Sequence, residues 1–165
     1  MGQLFVAYNG PMPTTAPIAK VATGITTKTL LQIATPATKA IKVKRWGISF
    51  DGSAAATPVQ CELIQTDVAA TVTAHVASGV IPYDNAGGDA SLMTLGTAAT
   101  GYTASAEGTT TASRVGDYQN VAPTNQFIYD WVLGNEFHVA ISKFLRVRVT
   151  TGTTVNATCY VVWEE

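Results

Sequence analysis

The chain has 165 residues, 47% of them hydrophobic and only 13% charged, with a formal net charge of -1 and a mean hydropathy of +0.19. That length suits one domain, or one with a small extra lobe, and the charged share is about half the roughly 25% of an ordinary soluble domain. A near-neutral chain has no field with which to gather nucleic acid or an anionic membrane, and little repulsion to keep its copies apart, so the expected partners are protein surfaces.

Met1 to Val6 lacks the basic start and continuous apolar core of a secretion signal, and Val6 stands where a myristoylation signal wants Ser or Thr. No stretch is apolar enough for a membrane span, so no membrane partner and synthesis in a cytoplasm are expected. Residues 1–27, with Pro11, Pro13, Pro17 and repeated Thr and Ala, read as an extended N-terminal arm ahead of a single domain at 28–165. The arm has too few charges for a solvating tail and too many prolines for a core strand. Ordering it costs about 1–2 kcal/mol per residue in backbone entropy, which contacts outside the domain must offset. Deleting residues 1–20 is therefore expected to leave a folded domain that binds its partners poorly.

Apolar residues then recur with period two, and no stretch carries the spacing of an amphipathic helix over several turns. Leu30 to Ala34, Ile41 to Phe50 and Val59 to Thr66 read as strands, separated by Pro36, Asp51-Gly52 and Pro58. In the middle run Ile41 and Val43 share one phase, whereas Trp46, Ile48 and Phe50 take the other. A β-bulge near Lys44-Arg45, or a passage between sheets, reconciles them. Residues 68–126, rich in Gly, Ala, Ser and Thr, hold only short candidate strands and read as a long loop or small lobe inserted in the domain.

Four strands are expected in 127–164. They are Phe127 to Leu133, the run Phe137–Val139–Ile141, the run Leu145–Val147–Val149, and Val155 to Trp163 with Asn156, Thr158 and Tyr160 on the opposite face. The last two flank Thr151-Gly152-Thr153 and are expected to pair as an antiparallel hairpin. The pattern implies an all-β fold, an antiparallel β-sandwich in the form of an eight-stranded jelly roll. The immunoglobulin alternative lacks its Cys-Trp-Cys spacing. The expected core takes Trp46, Ile48, Phe50, Cys61 and Leu63 from the first half. From the second half it takes Phe137, Val139, Leu145, Val147, Val155, Val161 and Trp163.

Chemistry-bearing motifs are scarce. Cys61 and Cys159 lie in apolar alternating runs and are expected to be buried, reduced thiols. His75 and His138 sit in no metal-ligating pattern, and there is no nucleophile elbow, phosphate loop or dinucleotide fingerprint, so neither catalysis nor a cofactor is expected. Asp84-Asn85-Ala86-Gly87-Gly88-Asp89 offers oxygen ligands, but Leu95 stands where a calcium loop needs its glutamate, and a tight polar turn is the better reading. Lys42, Lys44, Arg146 and Arg148 alternate with core positions and form a basic stripe if their strands are neighbours. Asn156-Ala157-Thr158 matches a glycosylation sequon but lies mid-strand.

Three segments in sequence carry a resemblance: Leu30-Leu31-Gln32-Ile33-Ala34-Thr35-Pro36, Val43-Lys44-Arg45-Trp46-Gly47-Ile48-Ser49-Phe50-Asp51-Gly52, and Pro58-Val59-Gln60-Cys61-Glu62-Leu63. With the ending Leu145-Arg146-Val147-Arg148-Val149, Val155-Asn156-Ala157 and Val161-Val162-Trp163-Glu164-Glu165, the chain resembles jelly-roll head decoration, or cement, proteins of tailed bacteriophages. The resemblance covers about two thirds of the chain and no catalytic motif. It implies a structural protein on the outside of an icosahedral capsid, with major capsid protein subunits and further copies of itself, a trimer or quasi-symmetric neighbours, as partners. A host-binding trimeric jelly-roll head of a tail fibre or spike is the alternative. The expected subunit contacts are Leu4, Phe5, Met12, Pro13 and Ile18 in the arm and Tyr83, Tyr102 and Tyr118 in the 68–126 segment.

Overall fold

Alternation of apolar and polar residues does become strand almost throughout. A computed structural model describes residues 2–165 and contains thirteen strands. They are β1 (Leu4–Tyr8), β2 (Val21–Ala22), β3 (Lys28–Ala34), β4 (Ile41–Asp51), β5 (Val59–Thr66), β6 (Thr71–Ala74) and β7 (Val80–Pro82). After these come β8 (Gly101–Ala106), β9 (Ser113–Val121), β10 (Gln126–Asp130), β11 (Phe137–Val139), β12 (Phe144–Thr150) and β13 (Asn156–Glu164). One 3₁₀ turn, Ala77–Gly79, is the sole helical element among the described residues.

Two antiparallel sheets face each other as a β-sandwich. The first, sheet A, runs β10-β4-β13-β1-β7; β11 shares β10's side of β4, and β2 pairs with β13. The second, sheet B, runs β6-β8-β3-β12-β5-β9. All twelve residues expected in the core are buried between the sheets, Trp46 and Trp163 completely so. Cys61 and Cys159 are there too, as free thiols. Burial pushes the Cys61 thiol up to about 12 and raises that of Cys159 well above its ordinary value.

Of the two ways to reconcile the phase change in β4, the structure has the bulge. Val162 lies opposite Arg45 and Trp163 opposite Val43, so Lys44 is the extra residue. Skipping it lets Ile41, Val43, Trp46, Ile48 and Phe50 all reach one core.

Several expectations need correction. β12 and β13 do not form a hairpin: β12 lies between β3 and β5 in sheet B, and β13 between β4 and β1 in sheet A. Thr151 to Val155 carries the chain across the sandwich, held by Thr151 Oγ1 donating to the Thr153 carbonyl and by Val155 N–H donating to Thr23 Oγ1. The two sheets each offer long partners on both sides, which a five-residue link cannot outweigh.

The arm reading fails for residues 4–8. β1 is an interior strand of sheet A, paired with β13 on one side and β7 on the other, and Phe5, Val6 and Ala7 are buried. Residues 11–20 are the exposed part, although Ile18 tucks against Gly10. The chain's accessible surface of 7850 Å² is close to the roughly 7,800 Å² of a compact monomer of its mass.

Nor is 68–126 an inserted lobe. It supplies β6, β7, β8 and β9, which extend both sheets, and β9 pairs with β5 along its whole length. The strand expected at 127–133 stops at Asp130, and Ile141, expected to continue the run of Phe137 and Val139, lies 48% exposed in a turn after β11.

Candidate functional site

The two outer faces of the sandwich are finished differently. On sheet B the polar side chains of Thr29 and Gln32 on β3 and Arg146 on β12 are met by the chain's own 68–70 and 99–107 segments. Gln32, fully buried, donates to the carbonyls of Ala70 and Ala99 and accepts from Ala70 N–H at 2.8 Å. Arg146, also fully buried, donates to the Glu107 carbonyl at 3.0 Å, to its carboxylate at 3.3 Å and to the Val68 carbonyl. Thr29 gives the same carboxylate its N–H and hydroxyl. Burial lowers the Arg146 pKa, and Glu107 opposes that shift.

The expected basic stripe therefore does not exist. Lys42 and Lys44 belong to sheet A and Arg146 and Arg148 to sheet B, where Arg148 pairs with Glu62 at 3.0 Å. A charge on the polar phase of a strand need not face water when another segment of chain lies over it.

The outer face of sheet A keeps its middle buried at Val6 and Val162, 4% and 3% exposed, and leaves Tyr8, Tyr160 and Arg45 beside them half-buried. Register places two rows across it: Ile81, Val6, Val162, Arg45 and Asp130 in one, and Tyr8, Tyr160, Gly47 and Ile128 in the next. The Tyr8 and Tyr160 rings lie 5.6 Å apart, and the Tyr160 ring rests on Gly47, where a Cβ would stand 2.6 Å from it. Arg45 pairs with Asp130. Burial raises the Tyr160 phenol, Arg45 lowers it, and Asp130, Tyr8 and Tyr83 add to the rise, so these groups share one neighbourhood. Ile128 is 50% exposed and Tyr83 52%.

Beside this face lies a cleft of about 480 Å³ whose lining includes Leu4, Lys42, Lys44, Leu133, Glu136 and Glu164. Lys44 bridges Glu136 at 2.8 Å and Glu164 at 2.6 Å. The ammonium holds the Glu136 carboxyl down to about 2 and lowers that of Glu164, while the two carboxylates raise Lys44. With all three committed to one another, the group is a clamp joining β4, β13 and the turn before β11.

The expected contact residues do not converge. Phe5 faces the core, 2% exposed and stacked on Trp163 with ring centroids 6.1 Å apart, so it is corrected to a core residue. Leu4 and Tyr83 are neighbours, Tyr83 N–H donating to the Leu4 carbonyl at 2.8 Å. Met12 and Pro13 are exposed in the 11–20 loop, and Ile18 is half-buried. Tyr102 packs on the His75 ring at 4.8 Å, and Tyr118 is exposed on β9, at the far edge of sheet B. Tyr8 and Tyr160, not among the expected contacts, lie half-buried on the outer face of sheet A. The signal for Tyr8 was its place in the phase of Leu4 and Val6.

His75 is a satisfied interior histidine, its Nε2 2.9 Å from the Tyr8 carbonyl oxygen. The Asp84–Asp89 stretch is a polar turn, with Gly87 N–H on Asn85 Oδ1 and Gly88 N–H on the Asn85 carbonyl. Asp84 accepts from Leu4 N–H. Among the described residues no group of three or more His, Cys, Asp or Glu is placed to hold a metal ion. No family model, curated protein or solved structure matches the chain.

Proposed function

We propose that this chain is a jelly-roll subunit of a phage virion that docks on the outside of the capsid through the outer face of sheet A. The jelly-roll reading rests on strand order. Setting aside β2 and the strands β6, β7 and β8 that lie between β5 and β9, the remaining strands pair as β1·β13, β3·β12, β4·β10 with β11, and β5·β9. First pairs with last, second with last but one, and so inward: one long antiparallel hairpin rolled into two sheets.

The observation that carries the docking reading is the half-buried cluster of Tyr8, Tyr160 and Arg45 with the exposed Tyr83 and Ile128 beside it, a patch of aromatic and Arg side chains on the outer face of sheet A. Tyr and Arg are the side chains enriched where protein surfaces bind, because each presents a large body and a hydrogen-bonding tip. A capsid lattice repeats such a contact many times, so a modest contact per subunit is enough to brace the shell.

The test is co-sedimentation with shells assembled from the major capsid protein of the same phage. Arg45→Glu and Tyr160→Ser are expected to weaken saturation about tenfold or more, the cost typical of losing a central interface side chain. Tyr118→Ser, on the distant β9, should bind as the parent does. Equal binding by all three variants, or binding to host cells instead of shells, would overturn the proposal.

A further inference from the structure

A sheet that ends in a straight, unblocked strand is open to extension by another strand. Three of the four sheet edges here are blunted. β7 has three residues and ends in Pro82, β6 has four with a register shift, and β9 carries Arg114 and a register shift that leaves out Gly116. The fourth, β10, runs in unbroken register along β4, Gln126 opposite Ser49 through Asp130 opposite Arg45, with neither proline nor lysine.

Its free side is identified by its bonds. Phe50 N–H donates to the Asn125 carbonyl and Trp131 N–H to the Lys44 carbonyl, so the odd-numbered residues of this stretch turn their peptide groups toward β4. By alternation, Gln126, Ile128 and Asp130 turn their N–H and C=O groups outward. No backbone or side-chain partner meets them among the described residues.

We propose that two copies of the chain join through β10, antiparallel about a two-fold axis at Ile128, making one continuous sheet across the pair. The register selects a second copy as the occupant. Centred on Ile128, Gln126 faces Asp130 of the other copy, Ile128 faces Ile128, and all three outward residues fall in hydrogen-bonded pairs. On the outer face the Gln126 amide then donates to a carboxylate that Arg45 already neutralises, and no like charges meet. Ile128, 50% exposed, gains cover from its own copy, and Val132 and Leu133, 70% and 86% exposed just beyond the strand, flank the seam. This inference needs only the purified chain and stands apart from the docking reading.

Sedimentation equilibrium across the micromolar range reads the result. The parent chain should approach twice 17.3 kDa, and its Gln126, Ile128 and Asp130 amides should gain protection from hydrogen exchange as concentration rises. Ile128→Pro removes one outward N–H per copy and leaves the bonds to β4 in place, which should weaken association roughly tenfold or more. Gln126→Asp sets carboxylate against carboxylate and should weaken it too, whereas Gln126→Lys should keep or tighten it. Gln126 is exposed, so those two variants decide the matter even if the proline variant does not fold. A chain that stays monomeric, an oligomer indifferent to these substitutions, or an Ile128 amide protected only when capsid protein is added would each overturn the proposal.

Discussion

His75 is 4% exposed, its Nε2 on the Tyr8 carbonyl and its ring against Tyr102, and burial lowers its pKa below the ordinary 6.5. The unfolded chain therefore binds a proton at this position where the folded one does not. Stability is fully present above about pH 6.5 and falls as pH drops below it, by at most about 1.4 kcal/mol per pH unit from one histidine. His75→Gln, which keeps a neutral donor for the carbonyl, should flatten the change in urea midpoint between about pH 7.5 and 5.5. A variant with the parent's slope would show that another group titrates. The carboxylates lie outside that window. Glu136 and Asp67, both held down to about 2, by Lys44 and by Thr111 and Ala112 respectively, give up their stabilisation as pH falls from the ordinary carboxylate value toward about 2. Gly47 matters at the same scale for shape alone: the Tyr160 ring lies on the sheet because nothing projects from position 47.

At the scale of elements, β1 separates a core strand from the exposed loop that follows it. Removing residues 1–8 deletes the buried Phe5, Val6 and Ala7 and uncovers Trp163, a loss of at least about 5 kcal/mol when one buried Phe alone is worth about 3–5. That is enough to unfold a domain stable by about 5–15 kcal/mol. Shortening the loop by excising Thr14 to Ala16 should leave the thermal midpoint within a few degrees of the parent, and circular dichroism distinguishes the two outcomes. Strands such as β4, β12 and β13 were legible because one face is core and the other is not, and the phase of Trp46 against Val43 called for a bulge near Lys44-Arg45 or a passage between sheets, of which the bulge is present. β9 was not legible. Ser-Arg-Val-Gly-Asp-Tyr-Gln-Asn-Val is an edge strand with little to bury, and its Gly116 is there to let the Phe137 ring come close. Arg146 looked like a surface charge because no local pattern reveals that 67–70 and Glu107 fold over it. The proposed docking face was half legible: Tyr160 lay on the polar phase of its strand, but its meeting with Tyr8 depends on a pairing of the chain's two ends.

At the scale of the molecule, the segment between β5 and β9 lengthens both sheets and covers the β3 and β12 part of sheet B, while Tyr83 and Ile128 beside the outer face of sheet A and the loop at 11–20 remain exposed. Under the docking proposal both contribute to one shell contact: the sheet face as a rigid patch, and Met12 and Pro13 as a flexible addition. Two linked contacts bind as a product of their strengths only when geometry lets both engage at once. The face comes preformed. The loop loses about 1–2 kcal/mol per residue in backbone entropy whenever it is ordered by a partner, which consumes much of what its few apolar side chains return. The loop should therefore be the lesser contributor. Excising Thr14 to Ala16 together with Met12→Ser is expected to lower shell affinity by less than Arg45→Glu does, and the combined variant should lose about the sum of the two free energies, since the sites are separate. Titration of shells with each variant measures all three. A loop variant that loses as much as Arg45→Glu would shift the main contact from the sheet face to the loop.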